Sequence, residues 1–372
     1  MGMTRDSFYL SQDEVAMSNF RILVATDAWR PQVNGVVRSL EALANEAPRH
    51  KAELVFLTPD GFPSIPMPTY PDIRLALASK EQIAMRIEAA RPHAIHIATE
   101  GPIGYAVRRY CLQHGLRFTT CYHTRYPEYV AARWPVPLAL TYAAMRLFHN
   151  AGHGTMAATA ALADELRARG LRNVMPWQRG IDVSAFGSGR AGLFDHLPKP
   201  ISLCVARIAV EKNIKAFLEL DLPGSKVVVG DGPARNMFQK MFPTTHFLGY
   251  LSGQELYDAY ASADVFVFPS LTDTYGLVVL EALAAGLPVA AFPVTGPRDI
   301  LANSGCGVLH DDLGAATRAA LKISTIQCKE FASKHTIAAS TISFVNNVKR
   351  VQAAGRSAGT DVTTLESAGL FA

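Results

Sequence analysis

Short apolar runs alternate along the chain with longer segments in which apolar residues recur at helical spacing. Runs typical of buried strands lie at 21–26, 53–58, 93–98, 117–122, 154–158 and 174–178, and again at 201–206, 226–230, 245–248, 265–268 and 288–292. Segments typical of helices lie between them, as at 36–45, 79–90, 138–150 and 160–169. Strands that alternate with helices form parallel sheets, because each connection crosses back over the sheet. The pattern therefore predicts an α/β protein with parallel sheets.

The strand–helix series restarts once, which predicts two domains in a chain of 372 residues. A stretch rich in glycine, proline and charge at 187–200 separates the two series. We expect a first domain at 20–190, a second at 191–335, a final amphipathic helix at 336–353 and a disordered tail at 354–372. The segment 59–72 contains five prolines and is predicted to be a long loop.

Composition narrows the class of protein. Hydrophobic residues make up 49% of the chain and charged residues 18%, which is typical of a well-packed globular protein. No apolar run approaches the roughly 18–20 residues that a membrane-spanning helix needs. Residues 1–19 contain three acidic side chains and no apolar core, so they are predicted to be a flexible extension and not a secretory signal. The five cysteines show no paired spacing, which indicates reduced thiols in a cytoplasmic protein.

The net charge of +4 comes from a basic excess in the first half of the chain. A mild excess of this kind favours an anionic membrane surface or an acidic acceptor, but it also fits an ordinary arginine-rich surface. Within 103–150, arginines are interspersed with aromatic and apolar residues, the ingredients of an interfacial surface. These residues are Arg108, Arg109, Arg117, Arg125, Arg133 and Arg146 with Tyr126, Tyr129, Trp134, Pro135 and Leu138. No nucleic-acid partner is predicted.

The segment 269–283, PSLTDTYGLVVLEAL, carries the most specific candidate chemistry. Asp273 and Glu281 stand eight positions apart, after an apolar run typical of a strand. Helical spacing begins after Gly276, so Asp273 is predicted on the loop and Glu281 inside the helix. Carboxylates accept hydrogen bonds from hydroxyls, and the N–H groups at a helix start bind anions, a combination that suits a sugar nucleotide. Taken alone, the two residues also fit an N-cap and a solvated helix face.

This segment resembles the acidic-x7-acidic motif of family 4 of the retaining glycosyltransferases, in which the first acid is usually glutamate. The resemblance implies the GT-B fold, two Rossmann-like domains facing across a cleft, with the acceptor on the first domain and the nucleotide sugar on the second. Within the family, the chain is most similar to bacterial lipid-directed α-mannosyl- and α-glucosyltransferases. This similarity implies a hexosyltransferase at the inner face of the cell membrane. Its donor would be GDP-mannose or UDP-glucose, and its acceptor a membrane lipid or glycan. A front-face mechanism, assisted by the leaving phosphate, is implied as well.

Further segments match the family in the same order. The loop 27–38 resembles the glycine-containing loop that faces the donor diphosphate, and the turn 230–233 resembles a Gly-x-Gly-Pro motif on the nucleotide side. Arg207 and Lys212 follow a strand and resemble a phosphate clamp, although a surface arginine and a lysine–glutamate helix pair would look the same. The donor-binding residues that the resemblance implies are Asn34, Gly35, Gly230, Gly232, Tyr275, Gly276, Leu277 and Glu281.

His123 follows a strand of the first domain, where a histidine of the family is expected to bond a sugar hydroxyl or a phosphate oxygen. The catalytic groups implied are therefore His123, Arg207, Lys212 and Asp273. Arg125, Tyr126 and Glu128 follow at once and are candidates for the acceptor side.

The remaining polar residues have weaker assignments. His149 and His153 have helical zinc-site spacing, but Gly152 interrupts the helix and no third ligand is apparent. The chain contains no Asp-x-Asp, so neither a metal nor another cofactor is predicted. Arg179 and Asp182 either fix the geometry of the cleft or belong to a hinge, and Glu100 is predicted to cap the helix after it.

Two other functions remain open from the sequence. One is a nucleotide-sugar epimerase of the same two-domain fold. The other is a catalytically weak nucleotide-sugar-binding subunit, which the aspartate at position 273 would fit.

Overall fold

The computed structural model describes residues 19–32, 34–67 and 70–367. Two six-stranded parallel sheets account for most of its strands, with the orders β2-β1-β5-β6-β7-β8 and β11-β10-β9-β12-β13-β14. The first domain contributes β1 Phe20–Ala25, β2 Ala52–Leu57, β3 Ser64–Met67, β4 Tyr70–Ala76, β5 Ala94–Ile97, β6 Phe118–Cys121, β7 Gly154–Ala157 and β8 Val174–Pro176. The second contributes β9 Ile201–Val205, β10 Ser225–Val229, β11 His246–Gly249, β12 Val265–Phe268, β13 Val289–Ala291 and β14 Gly307–Leu309. The predicted α/β architecture is confirmed.

Helices connect the strands in both domains. Those of the first series are α1 Gly35–Glu46, α2 Lys80–Ala90, α3 Pro102–Gln113, α4 Tyr126–Arg133, α5 Leu138–His149, α6 Ala160–Ala168 and α7 Val183–Gly187. The second series comprises α8 Ile214–Leu218, α9 Arg235–Met241, α10 Gly253–Ala261, α11 Leu277–Ala285, α12 Pro297–Leu301, α13 Leu313–Ala320, α14 Thr325–Ala332 and α15 Ile337–Ser367. Short 3₁₀ turns lie at Ala47–His50 and Val210–Lys212.

Each sheet is buried on both faces, which explains why its strands are continuous apolar runs instead of alternating ones. Ile22, Leu23, Val24 and Ala25 of β1 are essentially inaccessible, and so are all four residues of β12. The five cysteines are buried and free, as predicted.

The segment that joins the two domains packs against the second domain. Ile181, Phe186 and Phe194 pack into the core of the second domain, and Phe186 contacts the rings of Tyr257 and Tyr260 edge-on. The chain on both sides of the predicted boundary at 190 therefore packs against the second domain. Glycine, proline and charged residues indicate where the chain lacks regular structure. They do not indicate which domain the segment packs against, because that depends on isolated aromatic residues.

The segment 59–72 is not a continuous loop. Residues Ser64–Met67 and Tyr70–Ala76 form a two-stranded antiparallel ribbon, in which Ile65 pairs with Leu75. Proline cannot donate a backbone hydrogen bond and is therefore mainly confined to edge strands. Both strands of a two-stranded ribbon are edge strands, so they can contain proline.

The last helix, α15, crosses back to the first domain. Trp177 Nε1 donates to the carbonyl of Ser340 at 3.1 Å, and Arg117 Nε donates to the carbonyl of Val351 at 2.8 Å. Phe344 is fully buried between the rings of His96 and Trp177, with centroid distances of 4.9 and 5.0 Å. The backbone of α15 continues to Ser367, beyond the predicted helix end at residue 353 and into the predicted tail. The predicted extension at 1–19 lies outside the described residues except for Asn19.

Replacing Phe344 with alanine is expected to lower the free energy of unfolding of the first domain by about 3–5 kcal/mol, because it opens a cavity against Trp177. Urea unfolding followed by tryptophan fluorescence measures this change. Ile342→Ala on the same helix is the matched control, since Ile342 is 44% exposed and its loss should cost within about 0.5 kcal/mol. Equal, small effects of both variants would show that α15 does not stabilise the first domain.

Candidate active site

The carboxyl ends of both sheets meet at one cleft. In the first sheet, the loops that follow β1, β5 and β6 lie here, and in the second sheet those that follow β9 and β12. Two contacts join the domains across it. Thr274 Oγ1 donates to the carbonyl oxygen of His123 at 2.8 Å, and the Arg38 guanidinium pairs with Glu281 at 3.1 Å. Open α/β sheets bind their ligands at this edge.

Lys212 and Asp273 form an ion pair on the second domain. The Lys212 ammonium donates to Asp273 Oδ1, and both side chains are largely buried. Their two loops form one unit, because Thr272 Oγ1 donates to the carbonyl of Glu211 at 3.3 Å. Asp273 Oδ2 is enclosed by protein and has no hydrogen-bond partner. This oxygen can accept a hydrogen bond from a ligand hydroxyl.

The ion pair determines the charge state of Lys212. Burial by itself would lower the pKa of Lys212, but the charge and hydrogen bond of Asp273, together with the smaller effects of Tyr129 and Glu211, outweigh it, and the pKa lies above its ordinary value. Lys212 is therefore a cation throughout the physiological range. The sequence predicted that Lys212 and Arg207 act as a pair of cations, but it did not predict the contact with Asp273. Arg207 follows β9 with an exposed side chain.

The turn after β10 lies against the loop that carries Arg207. Gly230 has a φ of +133°, and a Cβ atom there would lie 2.0 Å from the carbonyl oxygen of Ala206. Only glycine allows this approach. The backbone N–H of Ile208 donates to the carbonyl of Asp231 at 2.9 Å, which completes the contact. Gly232 approaches the same loop, since its Cβ would lie 2.5 Å from the carbonyl oxygen of Ile208.

The start of α11 faces the first domain. Gly276 precedes the helix with a φ of +87°, a left-handed conformation that glycine adopts without strain. A Cβ on Gly35 would lie 3.8 Å from Leu277 Cδ1, so the two predicted donor segments come together across the cleft. Tyr275 is buried beside them and hydrogen-bonds with Gln178.

Asn34 has a structural role in this arrangement. Its Oδ1 accepts hydrogen bonds from the N–H groups of Val36 and Val37, both at 3.0 Å, and so caps α1. Its Nδ2 donates to Gln32 Oε1 at 3.2 Å. The side-chain oxygen of this predicted donor-binding residue is thus engaged by the helix start.

Both oxygens of Glu281 are engaged. Oε1 pairs with Arg38, and Oε2 accepts a hydrogen bond from the Tyr260 hydroxyl at 3.0 Å. Burial raises the pKa of Glu281, while the positive charge of Arg38 opposes that rise. Sequence reasoning missed Arg38. Arg38 stands three positions after Gly35, so the two residues lie on one face of α1. This spacing could have indicated that Arg38 also faces the cleft.

His123 has a defined tautomer. Arg179 Nη2 lies 3.2 Å from His123 Nδ1, and because a guanidinium only donates, Nδ1 accepts. Burial and the charge of Arg179 hold the pKa of His123 well below its usual range, so the ring is neutral and its proton is on Nε2. Nε2 is enclosed and has no partner. The cleft therefore contains a donor on His123 and an acceptor on Asp273, both without a partner.

Arg179 and Asp182, which the sequence left between two roles, have different positions. Arg179 stacks on Trp177 at 3.5 Å and orients His123, so it belongs to the cleft. Asp182 Oδ1 accepts from the N–H of Ala185 at 3.0 Å and caps α7, at the junction of the domains.

Arg125 and Glu128 do not face the cleft. Arg125 bonds both oxygens of Glu165, at 3.0 and 2.7 Å, and Glu128 accepts from the Tyr142 hydroxyl at 2.7 Å. The observed contacts of both residues therefore lie inside the first domain, although Glu128 Oε2 is enclosed without a partner. Tyr126 is 39% exposed at the start of α4.

His149 takes part in a buried hydrogen-bond chain and not in a metal site. Its Nδ1 lies 2.9 Å from Thr120 Oγ1, and its Nε2 lies 3.1 Å from Glu100 Oε1. In the described part of the chain, no group of three or more His, Cys, Asp or Glu side chains is arranged to hold a metal ion.

The cap of α3 is Asp27 and not Glu100. The Asp27 carboxylate accepts from the N–H groups of Ile103 and Gly104, at 2.8 and 3.2 Å. Asp27 comes from the loop after β1, so only the folded sheet brings it to this helix start.

Comparison with known proteins gives matches in both domains. Residues 33–185 match a family model described as Glycosyltransferase Family 4, and residues 199–325 match one described as Glycosyl transferases group 1. The chain is 31% identical over 320 residues to a GDP-mannose-dependent alpha-mannosyltransferase of Mycobacterium tuberculosis, covering 79% of this chain and 84% of that protein.

A second relative agrees with this match, and a solved structure has the same fold. An alpha-monoglucosyldiacylglycerol synthase of Streptococcus pneumoniae is 27% identical over 348 residues, which cover 80% of this chain and 78% of that protein. Among solved structures, a sucrose-phosphate synthase from Thermosynechococcus elongatus superposes with a TM-score of 0.72 at 16% identity, covering 90% of this chain and 99% of that one.

Proposed function

Because the chain belongs to glycosyltransferase family 4, we propose that it transfers a hexose, mannose or glucose, from a nucleoside-diphosphate sugar to a membrane lipid or glycan. One observation carries the proposal. His123 Nε2–H and Asp273 Oδ2 are a donor and an acceptor, both enclosed and without a partner, on loops that a Thr274–His123 hydrogen bond joins. Sugar hydroxyls both donate and accept hydrogen bonds, so a hexose satisfies both groups.

The surrounding residues bind different parts of the nucleotide sugar. The Lys212 ammonium, Arg207 and the start of α11 at Leu277 hold the diphosphate, since cations and helix N–H groups stabilise the charge that develops on it. The glycine turn at Gly230 and Gly232 lines the nucleotide side. The Glu281 carboxylate accepts hydrogen bonds from the ribose hydroxyls.

The transfer retains the anomeric configuration. The acceptor oxygen forms its bond to the anomeric carbon on the face from which the diphosphate departs, and the bond from that carbon to the phosphate oxygen breaks. The acceptor proton passes to the leaving phosphate oxygen. No side chain is needed as a covalent nucleophile, and the main task of the protein is to stabilise the leaving group electrostatically.

The relatives make GDP-mannose the first donor to test and UDP-glucose the second. Thermal shift with GDP, UDP and ADP identifies the base, and donor consumption with the matching sugar nucleotide identifies the sugar. The acceptor probes are vesicles containing dioleoylglycerol and, in a second arm, methyl α-D-mannopyranoside. No stabilisation by any nucleoside diphosphate, together with no donor consumption, would refute the proposal.

We also propose that the first domain docks on an anionic membrane from the cytoplasmic side. Helix α5 exposes Leu140 and Leu147, which are 64% and 70% accessible and lie seven positions apart on one face. Trp134, before the helix, and Leu138, its first residue, are exposed as well, and Arg109 is exposed on α3. No helix in the described residues is long and apolar enough to span a membrane.

The arginines contribute less to that surface than the sequence suggested. Arg108 bonds the carbonyls of Leu147 and Phe148 at the end of α5, and Arg146 bonds the carbonyl of Arg169. Arg117 and Arg125 are engaged by α15 and by Glu165. The proposed membrane contact therefore depends mainly on the exposed apolar side chains.

Leu140→Glu combined with Leu147→Glu is expected to reduce co-sedimentation with phosphatidylglycerol vesicles at least about tenfold, because it puts charge where apolar side chains enter the headgroup boundary. The double variant should still bind the nucleoside diphosphate. Ile326→Glu is the control, since Ile326 is 69% exposed on the second domain. Unchanged sedimentation of the double variant, or no binding of the wild type at low salt, would remove the membrane from the account.

Transfer is expected to proceed without a divalent cation, because Lys212 and Arg207 can supply the positive charge. The measurement is donor consumption in EDTA. Loss of activity that Mg²⁺ or Mn²⁺ restores would contradict this expectation.

A further inference from the structure

The carboxylates of Asp27 and Glu100 lie at the carboxyl ends of neighbouring strands of the first sheet. They differ in how many of their oxygen atoms accept hydrogen bonds. Asp27 accepts three hydrogen bonds, two from the start of α3 and one from Thr99 Oγ1 at 2.9 Å. Glu100, with a side chain that is 4% exposed, accepts one, from His149 at 3.1 Å. Its Oε2 is enclosed by protein without a partner. Helix capping explains Asp27 and leaves Glu100 without a structural task.

A hydrogen-bond chain fixes the orientation of Glu100. His149 Nε2 lies 3.1 Å from Glu100 Oε1, and its Nδ1 lies 2.9 Å from Thr120 Oγ1, so both ring nitrogens are held. The Thr120 hydroxyl is in turn hydrogen-bonded to that of Thr155, 3.1 Å away on β7. Three side chains on two strands and a helix thus hold one oxygen of Glu100 and leave the other unoccupied. A buried acceptor without a partner is costly, and such groups require an explanation.

The position of Glu100 connects it to the cleft. It follows β5, and β5 lies between β1 and β6 in the sheet. The loops after those two neighbours lead to Gly35 and contain His123, so Glu100 lies between the two segments of the first domain assigned to substrate. The exposed Tyr126 is also near, since the charges of Glu100 and Asp27 both act on its hydroxyl.

We propose that Glu100 Oε2 binds a hydroxyl group of the acceptor, and that His149 is the positioning residue that holds Glu100 in place. The acceptor class is then a polyol or sugar with a hydroxyl next to the one that attacks. This role belongs to the first domain, opposite the groups that hold the diphosphate. It rests on the proposed transferase function.

Glu100→Gln tests the role, because the amide retains the shape and the contact with His149 but replaces the second acceptor oxygen with a donor. Transfer rates are measured with the sugar nucleotide that the wild type consumes and with both acceptor probes. We expect kcat/KM for the acceptor to fall about 30-fold, mainly through a higher KM. The affinity for the nucleoside diphosphate and the slow hydrolysis of donor by water should not change.

Glu88→Gln is the matched control. Glu88 lies in the same domain on α2 and also accepts one hydrogen bond, from the Tyr110 hydroxyl at 3.2 Å, but it is remote from the sheet edge. It should leave all rates unchanged. His149→Gln is the second variant, and it should raise the acceptor KM in the same direction as Glu100→Gln while preserving the affinity for nucleoside diphosphate.

Wild-type acceptor kinetics in Glu100→Gln would overturn the proposal and leave the transferase function intact. Weaker binding of nucleoside diphosphate by Glu100→Gln would also overturn it, because Glu100 would then act on the donor or on folding. If the wild type consumes no donor, the proposed function is wrong and the assignment of Glu100 fails with it.

Discussion

Replacing Lys212 with alanine is expected to reduce turnover by about 100-fold or more, on the order of 3 kcal/mol, and to weaken binding of the nucleoside diphosphate. The variant loses the cation that stabilises the leaving diphosphate. It also leaves the largely buried Asp273 carboxylate without its ion-pair partner. Steady-state kinetics and calorimetry with the nucleoside diphosphate measure the two effects separately. Arg207→Ala is expected to act in the same direction and to a similar extent, while the protein remains folded.

Lys215→Ala is the control for the lysine. Lys215 stands one turn further along and forms an exposed pair with Glu219 at 3.3 Å, which contributes little to stability. It should retain wild-type turnover. Unchanged affinity of Lys212→Ala for the matching nucleoside diphosphate would end the assignment of Lys212 to the phosphate.

Replacing Asp273 with asparagine is expected to reduce turnover by about 100-fold, with the affinity for the nucleoside diphosphate retained. In the proposed mechanism the carboxylate accepts a hydrogen bond from the sugar, and its charge favours the positive character that develops at the anomeric carbon; in the structure it also holds Lys212. Nucleotide binding should survive, because removing the competing carboxylate leaves the Lys212 ammonium available to phosphate. Loss of nucleotide affinity in Lys212→Ala, with retained affinity in Asp273→Asn, therefore distinguishes a phosphate ligand from a sugar ligand.

Asp195→Asn provides the reference, since Asp195 is exposed in the stretch that precedes β9. Near-normal turnover of Asp273→Asn would contradict a role at the sugar. It would also favour the function of a nucleotide-sugar-binding subunit, which the sequence left open.

The sequence predicted the fold and the placement of the cleft loops after their strands correctly, because both depend on local signals. The apolar runs at β9 and β12 are continuous since both faces of the sheet are covered, and such runs can be recognised without a structure. Gly230 and Gly276 adopt conformations that favour glycine, so their positions in the sequence already indicated turns. Asp273 and Glu281 followed from the position of a loop relative to a helix.

Contacts between distant segments could not be predicted in the same way. The partners of Arg125 and Glu128 are Glu165 and Tyr142, on helices whose packing angle no local pattern encodes. The sequence placed both residues next to His123 and assigned all three to the cleft, whereas α4 turns two of them inward. Asp27, rather than the adjacent Glu100, caps α3 for the same reason.

The central claim is that this cleft transfers a hexose with retention of configuration, and proton NMR of the ongoing reaction tests it most directly. With the nucleotide sugar that stabilises the protein and an acceptor probe, we expect the anomeric signal of the donor to decrease. A product signal with the same α-configuration should appear from the first time points. A β-configured product, or a donor that is epimerised and not transferred, would contradict the account.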